Sequence, residues 1–244
     1  MISTHFYYLF VDLGCLIVPF IFSFHPRLRF YKNYKALLVG TLVMMLFFIP
    51  WDIFFTSNGI WGFNEKYTCG AYLFNLPLEE WFFFLCIPYA CLFTYECMKI
   101  FFKKEPLSRL VKPLLIVLSV IMICIALMHA SQWYTFSAHL LCGIFLLLHH
   151  FVLRSKYIGW FMLTYIIILL PFIISNGILT GVRFWEYPVL NTHVEMIQEK
   201  IVWYDNTHNL GLRIFSMPVD DLAYGLLMLL LTTTIYEWRL SKTA

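Results

Sequence analysis

Seven apolar stretches, each about as long as a helix that crosses a bilayer, recur along the whole sequence. A transmembrane helix needs about 20 mostly apolar residues. The stretches lie roughly at residues 5 to 24, 36 to 55, 79 to 100, 113 to 129, 132 to 153, 157 to 175 and 218 to 238. Only 13% of the 244 residues are charged, about half the share in soluble domains. We therefore predict an all-α, polytopic membrane protein with seven transmembrane helices.

Basic residues predict the orientation of these helices. Of the 17 lysines and arginines, 13 follow the first, third, fifth and seventh stretches. Because short cytoplasmic loops collect Lys and Arg, we predict a cell-membrane protein with its N-terminus outside and its C-terminus in the cytoplasm. We interpret the basic clusters as orientation signals that also contact membrane lipids, and we predict no nucleic-acid partner. The first stretch lacks a basic segment before it and a small-residue cleavage site, which favours a retained helix.

A pattern of proline, apolar residue and two acids opens the third and the seventh stretches. The two copies are Pro77-Leu78-Glu79-Glu80 and Pro218-Val219-Asp220-Asp221, and each helix closes on a Tyr-Glu pair at the same distance, Tyr95-Glu96 and Tyr236-Glu237. Upstream, Pro50 and then Asn58-Gly59 after the second helix are echoed by Pro171 and then Asn176-Gly177 after the sixth. The pattern predicts two three-helix repeats.

The repeats define the predicted domain organisation. We expect a single membrane domain over 1–244, with one repeat at about 1–105, a linking helix at about 106–130 and a second repeat at about 131–244. Since the linking helix adds one crossing, both repeats enter the membrane from the same side. Parallel repeats of this kind pack around an axis along the membrane normal, which would bring both acid pairs to one central pocket.

The doubled acids are therefore the candidate catalytic residues: Glu79, Glu80, Asp220 and Asp221. Ionisable groups at membrane depth are functional candidates, although acids near a helix start also complement the helix dipole. Neighbouring helical residues point about 100° apart, so one acid of each pair can face the pocket, and the pattern does not say which. Acid-base catalysis would need one of these carboxyl groups protonated and another ionised at neutral pH.

Polar and aromatic residues near the acids are candidate substrate contacts. They are Trp51, Asp52, Asn58, Trp61, Phe63, Trp81, Phe83 and Asn176. Aromatic faces stabilise a cation, and an interfacial aromatic belt is the structural alternative. We expect Asp12, inside the first helix, to hydrogen-bond a partner helix. No spacing resembles a metal site or a dinucleotide fingerprint, so we predict neither metal nor cofactor.

The combination of Pro50-Trp51-Asp52, Asn58-Gly59-Ile60-Trp61 and Pro77-Leu78-Glu79-Glu80, followed by Phe82-Phe83-Phe84, resembles the membrane-embedded lycopene cyclase domain family in its fused two-repeat form. That family includes heterodimeric bacterial cyclases and the cyclase part of fungal bifunctional cyclase/phytoene synthases. The resemblance implies a lycopene β-cyclase, which closes the linear ends of lycopene from the bilayer by adding and removing a proton, through a carbocation and without a cofactor. Asp220-Asp221 departs from the glutamates usual in the family.

Two alternatives stay open. One is an ε-ring or long-chain carotenoid cyclase, and the other is a proton-coupled membrane transporter or lipid-binding protein. A transporter would be expected to have helices broken at the membrane midplane. The sequence indicates neither the ring type, nor whether one or both ends react, nor the oligomeric state.

Overall fold

A computed structural model describes residues 4–105, 107 and 109–242, and seven long helices make up most of this part of the chain. They are α1 (Tyr7–Phe22), α2 (Tyr34–Ser57), α3 (Leu78–Phe101), α4 (Val111–Met128), α5 (Trp133–Leu148), α6 (Ile158–Thr180) and α7 (Asp220–Ser241). A turn of π-helix, His149–Leu153, extends α5. The first four helices agree with the predicted stretches to within two residues at each end.

The α6 helix ends five residues later than predicted, and this later end corrects part of the repeat assignment. Asn176-Gly177, predicted to follow the sixth helix, lies inside α6. Asn58-Gly59 does follow α2, with Gly59 at a φ of +69°. Within α6, the Asn176 amide donates to a carboxylate oxygen of Asp221 at 2.6 Å, whereas Asn58 donates to the end of its own helix. The two Asn-Gly pairs are therefore not equivalent.

Six of the seven helices are long and apolar enough to cross a membrane, and α7 falls short of that standard. Two acids open α7, and three consecutive threonines, Thr232–Thr234, lie near its other end. More than half of its residues are nevertheless buried, because α7 packs against α2 and α5. A helix enclosed by protein needs no apolar surface toward lipid. The composition thus identifies six candidate crossings, and the seventh remains a prediction.

The helices pack in reciprocal pairs. The α2 helix packs against α7, and α6 packs against α3. In the same way α1 packs against α3, and α5 packs against α7, while α4 lies against α5. A two-fold relation between α1–α3 and α5–α7 would produce this arrangement.

Seven short strands lie in the loops of the described part of the chain, so the all-α prediction describes the helices but misses these elements. The strands are β1 (Trp61–Phe63), β2 (Tyr72–Leu73), β3 (Leu76–Pro77), β4 (Leu190–Asn191), β5 (Val202–Tyr204), β6 (Arg213–Ile214) and β7 (Met217–Pro218). A two-strand hairpin, β2–β3 or β6–β7, precedes each helix that starts with acids. Strand β1 pairs antiparallel with β5, which joins the loop after α2 to the loop after α6. Hydropathy misses such strands because two or three residues are too few to show a period.

Candidate active site

A narrow cavity of about 50 Å³ lies beneath the paired strands β1 and β5, where the first turns of α3 and α7 meet. Its polar wall includes carboxyl groups from both halves of the chain, Asp52 and Glu80 from the first and Asp221 from the second. Eight aromatic side chains complete most of the wall: Tyr8, Trp61, Phe63, Phe83, Tyr134, Phe172, Tyr204 and Tyr224.

In the first half, two carboxyl groups share this cavity. Glu80 is buried and accepts a hydrogen bond from the Tyr8 hydroxyl of α1. Asp52 projects from α2 into the same space, and its Oδ2 has no hydrogen-bond partner within the described part of the chain. The two carboxyl groups are close enough to interact electrostatically. Two negative charges so near each other in a buried site would repel strongly.

In the second half, one carboxyl group is surrounded by donors. The Tyr134 hydroxyl donates to Asp221 Oδ1 at 2.5 Å. The Asn176 amide donates to Oδ2 at 2.6 Å, and the Tyr204 hydroxyl donates to Oδ2 at 3.2 Å. Hydrogen bonds to the charged form of a carboxyl group favour that form. The two halves therefore present acids in different electrostatic settings.

Tyr8 and Tyr134 occupy equivalent places, and sequence reasoning did not select either. Each is the second residue of its helix, α1 or α5. Each donates its hydroxyl hydrogen to the second acid of its own half, Glu80 or Asp221. The signal that could have found them is an aromatic residue followed by tyrosine, at the start of the first helix of each three-helix unit.

The first acid of each pair faces away from the cavity. Glu79 Oε1 accepts a hydrogen bond from the backbone N–H of Cys69 at 2.6 Å. Asp220 Oδ2 accepts one from the backbone N–H of Leu210 at 3.2 Å, again ten residues upstream. The Thr135 hydroxyl also donates to Asp220 Oδ1 at 2.6 Å. These acids anchor the hairpin that precedes each helix and so fix the direction in which the second acid points.

The other predicted contacts divide into two groups. Five of them line the cavity: Asp52, Trp61, Phe63, Phe83 and Asn176. Trp51 lies behind the wall, with its ring 5.3 Å from that of Tyr224. Asn58 is exposed, and its side chain donates to the backbone carbonyl of Phe54 at 2.7 Å. The indole N–H of Trp81 donates to the backbone carbonyl of Leu73 at 3.4 Å. The structure thus places Asn58 and Trp81 outside the cavity.

Asp12 does not make the hydrogen bond expected of it. Its side chain is fully buried, and neither carboxylate oxygen has a hydrogen-bond partner among residues 4–105, 107 and 109–242. It interacts electrostatically with Glu80 and Glu79 instead. The reason is that α1 packs against α3, where the polar groups near Asp12 are the carboxyl groups of Glu79 and Glu80, which donate no hydrogen bond when ionised. Asp12 is therefore a further buried carboxyl group beside the acids of the first half.

A buried arginine lies beside the acid of the second half. The Arg213 guanidinium is 5.5 Å from the centre of the Tyr204 ring, and it donates to the Ser216 carbonyl at 2.9 Å and to Asn206 Oδ1 at 2.6 Å. Burial lowers the pKa of Arg213, and its positive charge interacts with Asp221. Burial and the nearby Asp221 carboxylate raise the pKa of Tyr204 well above its usual value, so its hydroxyl stays neutral and remains a donor.

These groups suit proton transfer next to a cation. Carboxyl groups can donate and accept protons, and the faces of the aromatic rings attract positive charge. The rings of Trp61 and Tyr134 are 5.0 Å apart, and those of Trp61 and Tyr224 are 6.0 Å apart, so three rings border the space between the acids. In the part of the chain that the structure describes, no three His, Cys, Asp or Glu side chains are grouped so as to hold a metal ion.

Comparison with known proteins places these features in a family. The family model described as lycopene cyclase matches residues 5–98 and 131–239, which include both acid pairs and both site tyrosines. A bifunctional lycopene cyclase/phytoene synthase of Leptosphaeria maculans is 33% identical over 72 residues, covering 30% of this chain and 12% of that protein. No solved structure gives a significant match. With the six apolar helices, the family match indicates a membrane protein. The chain belongs to the lycopene cyclase family.

Proposed function

We propose that this protein is a lycopene β-cyclase, which takes lycopene from the bilayer and closes its linear ends to β-rings by moving protons. The observation that carries the proposal is that Glu80 and Asp221, from different halves of the chain, line one cavity walled by aromatic rings. Membership of the lycopene cyclase family supports the choice of substrate.

The Asp52–Glu80 pair acts as the proton donor. Two carboxyl groups that share a buried site hold a proton between them, because two adjacent negative charges are unfavourable. The Tyr8 hydroxyl fixes the orientation of Glu80. The pair donates its proton to the terminal double bond of the linear end group, which leaves a carbocation.

The ring then closes between the acids. The neighbouring double bond attacks the cation, and its electron pair forms the new carbon–carbon bond of the ring, leaving the positive charge on the ring. The faces of Trp61, Tyr134 and Tyr224 stabilise this charge through their quadrupoles, with an energy that is greatest where water is excluded. All three side chains lie in the cavity wall, and Trp61 and Tyr134 are buried.

Asp221 acts as the base. Its three hydrogen bonds and the charge of Arg213 favour the carboxylate form, which can accept a proton from the ring cation. Loss of that proton sets the ring double bond. One proton is gained and one is lost, so the product is an isomer of the substrate and no electrons are exchanged.

The proposed reaction fits the proposed setting of the chain. The single domain has two parallel three-helix repeats with α4 between them. The N-terminus lies outside the cell, and the C-terminus lies in the cytoplasm. The sorting of basic residues supports this orientation. In it the acid-bearing starts of α3 and α7 lie near the outer face of the membrane.

The test is expression in a bacterial host that accumulates lycopene, followed by chromatography of the extracted pigments. The expected products carry β-rings. A matched pair of variants, Glu80→Gln and Glu79→Gln, removes the carboxyl group inside the cavity or the one outside it. Unchanged lycopene in membranes that contain the parent protein would refute the proposal, and ε-ring products would refute the ring type.

A further inference from the structure

A second, larger cavity adjoins the acid cavity and opens between helices. It is an apolar groove of about 570 Å³, within the range of small-molecule sites, and its walls come from α1, α3, α6 and α7. Its three hydroxyl groups already donate to backbone carbonyls: Thr94 to Ala90 at 2.9 Å, Tyr165 to Leu222 at 2.6 Å and Ser175 to Phe172 at 3.2 Å. The groove therefore presents hydrocarbon surface to an occupant.

The groove is open at the outer surface of the helix bundle. Phe10 on α1 and Ile174 on α6 are on its rim, and they are 47% and 46% exposed. Gly14, on the α1 wall, has open space where a side chain would begin. Along α1 the wall runs from Phe10 to Pro19, which at helical rise is about 14 Å. This length is about half of the roughly 30 Å hydrocarbon core of a bilayer.

Three residues are common to the groove and the acid cavity, namely Phe172, Gly225 and Met228. Gly225 lies four residues after Asp221, so both are on the same face of α7, one turn apart. A Cβ atom at Gly225 would be 3.5 Å from Phe172 Cζ. This glycine and the phenylalanine thus form the boundary between the groove and the acid cavity, and no side chain from Gly225 occupies it.

In the first half of the chain, a large side chain fills the place equivalent to that of Gly225. Phe84 lies four residues after Glu80, as Gly225 does after Asp221. It is completely buried, and its ring is 6.4 Å from that of Phe48. The two halves thus differ at this place, with Phe84 in the first and Gly225 beside the groove in the second.

We infer that the groove binds the linear polyene of the substrate, and that Gly225 opposite Phe172 is the neck through which one end group reaches the acids. The inference rests on the proposed cyclase function and adds the binding site to it. The occupant must be long, apolar and largely free of polar groups, and it must arrive from lipid, which fits a hydrocarbon polyene. Because the groove is about 14 Å long, it holds one end of such a molecule while the rest stays in the bilayer.

The first experiment measures binding without turnover. Glu80→Gln protein is purified in detergent from lycopene-accumulating cells, and the retained lycopene is quantified by its absorbance. Gly14→Leu, added to this background, fills open space in the groove and should lower retained lycopene about tenfold. Leu46→Phe, which enlarges an exposed apolar side chain on α2, is the matched control and should leave it unchanged. Undiminished lycopene with Gly14→Leu, or phospholipid as the only retained molecule, would overturn the inference.

The second experiment tests the neck in otherwise unaltered protein. Gly225→Ala places its Cβ at ordinary contact distance from Phe172 and should slow ring formation slightly. Gly225→Leu should slow it by about tenfold or more while the protein still retains lycopene. Ring formation at the parent rate in Gly225→Leu would show that the neck lies elsewhere. Failure of the parent protein to form rings would refute the proposed function, whereas the binding measurement would still decide whether the groove holds the polyene.

Discussion

Tyr95, near the end of α3, donates its hydroxyl hydrogen to the carboxylate of Glu237 on α7 at 2.6 Å. An equivalent bond runs from α7 to α3, in which the Tyr236 hydroxyl donates to the carboxylate of Glu96 at 3.0 Å. Lys99 bridges the two carboxylates, at 3.1 Å from Glu96 and 2.8 Å from Glu237. The ends of α3 and α7 are thus joined reciprocally, about 22 Å along α3 from Glu80.

This junction predicts a loss of stability without a loss of chemistry. Tyr95→Phe or Tyr236→Phe removes one hydrogen bond to a charged group, so each should lower the free energy of unfolding by about 1 to 2 kcal/mol. Thermal unfolding in detergent measures the change, and Tyr31→Phe, at an exposed tyrosine, is the control. Because the junction is remote from the acids, ring formation per folded molecule should stay constant. A large fall in that rate would contradict the separation of the two ends.

Because Asp221 has more hydrogen-bond donors around it than Glu80, we predict that replacing one of those donors, the Asn176 amide, slows ring formation. Asn176→Asp replaces a donor to Asp221 with a second carboxyl group, which disfavours the ionised form of Asp221. Ring formation should fall by about 10²-fold or more, as expected for loss of general base catalysis. Asn176→Ala removes the donor without adding an acid, so it should lower the rate of ring formation by a smaller factor. Equal rates for the two variants would show that charge at this place does not matter.

The proposed proton donor makes a parallel prediction for the first half. Asp52→Asn keeps the shape of the side chain but removes one carboxyl group of the pair, so ring formation should fall by about 10²-fold. Asp12→Asn is the matched control, because Asp12 is also buried but does not line the cavity. Its activity should stay near that of the parent. If Asp52→Asn retained full activity, Glu80 would have to act without its neighbour.

The acids that anchor the hairpins should behave differently from those in the cavity. Glu79→Gln and Asp220→Asn each weaken a hydrogen bond from a loop N–H to a carboxylate, so each should lower the free energy of unfolding by about 2 kcal/mol. Activity per folded molecule should fall far less than in Glu80→Gln or Asp221→Asn. Pigment analysis together with quantification of folded protein separates these effects. A reversed ranking would assign the catalytic role to the other acid of each pair.

The predicted orientation can be checked with a cysteine that the chain already has. Cys69 is exposed in the loop between α2 and α3, which should lie outside the cell. A membrane-impermeant thiol reagent should therefore label the protein in intact cells, and Cys69→Ser should abolish that labelling. Labelling only after the cells are opened would reverse the orientation.

The helices could be predicted from the sequence because apolar length alone marks them, as for α1 to α4. The sequence could not show which acid of each pair faces the cavity, because neighbouring residues on a helix point about 100° apart. The hairpin anchored on Glu79 or Asp220 determines which of the two acids faces it. The same limit hid Tyr8, whose role depends on how α1 packs against α3. The groove also required the structure, because it depends on a gap between α1 and α6 that no local pattern records.

The low hydropathy of α7 has a consequence for how the protein is made. Its acids and threonines would be costly in lipid, so α7 should leave the translocon only into a cleft already formed by α2, α3 and α5. Because α7 is the last helix of the seven and carries Asp221, a nascent chain lacks the proposed catalytic base until α7 has inserted. The reactive centre is thereby completed only after the surrounding bundle can shield it.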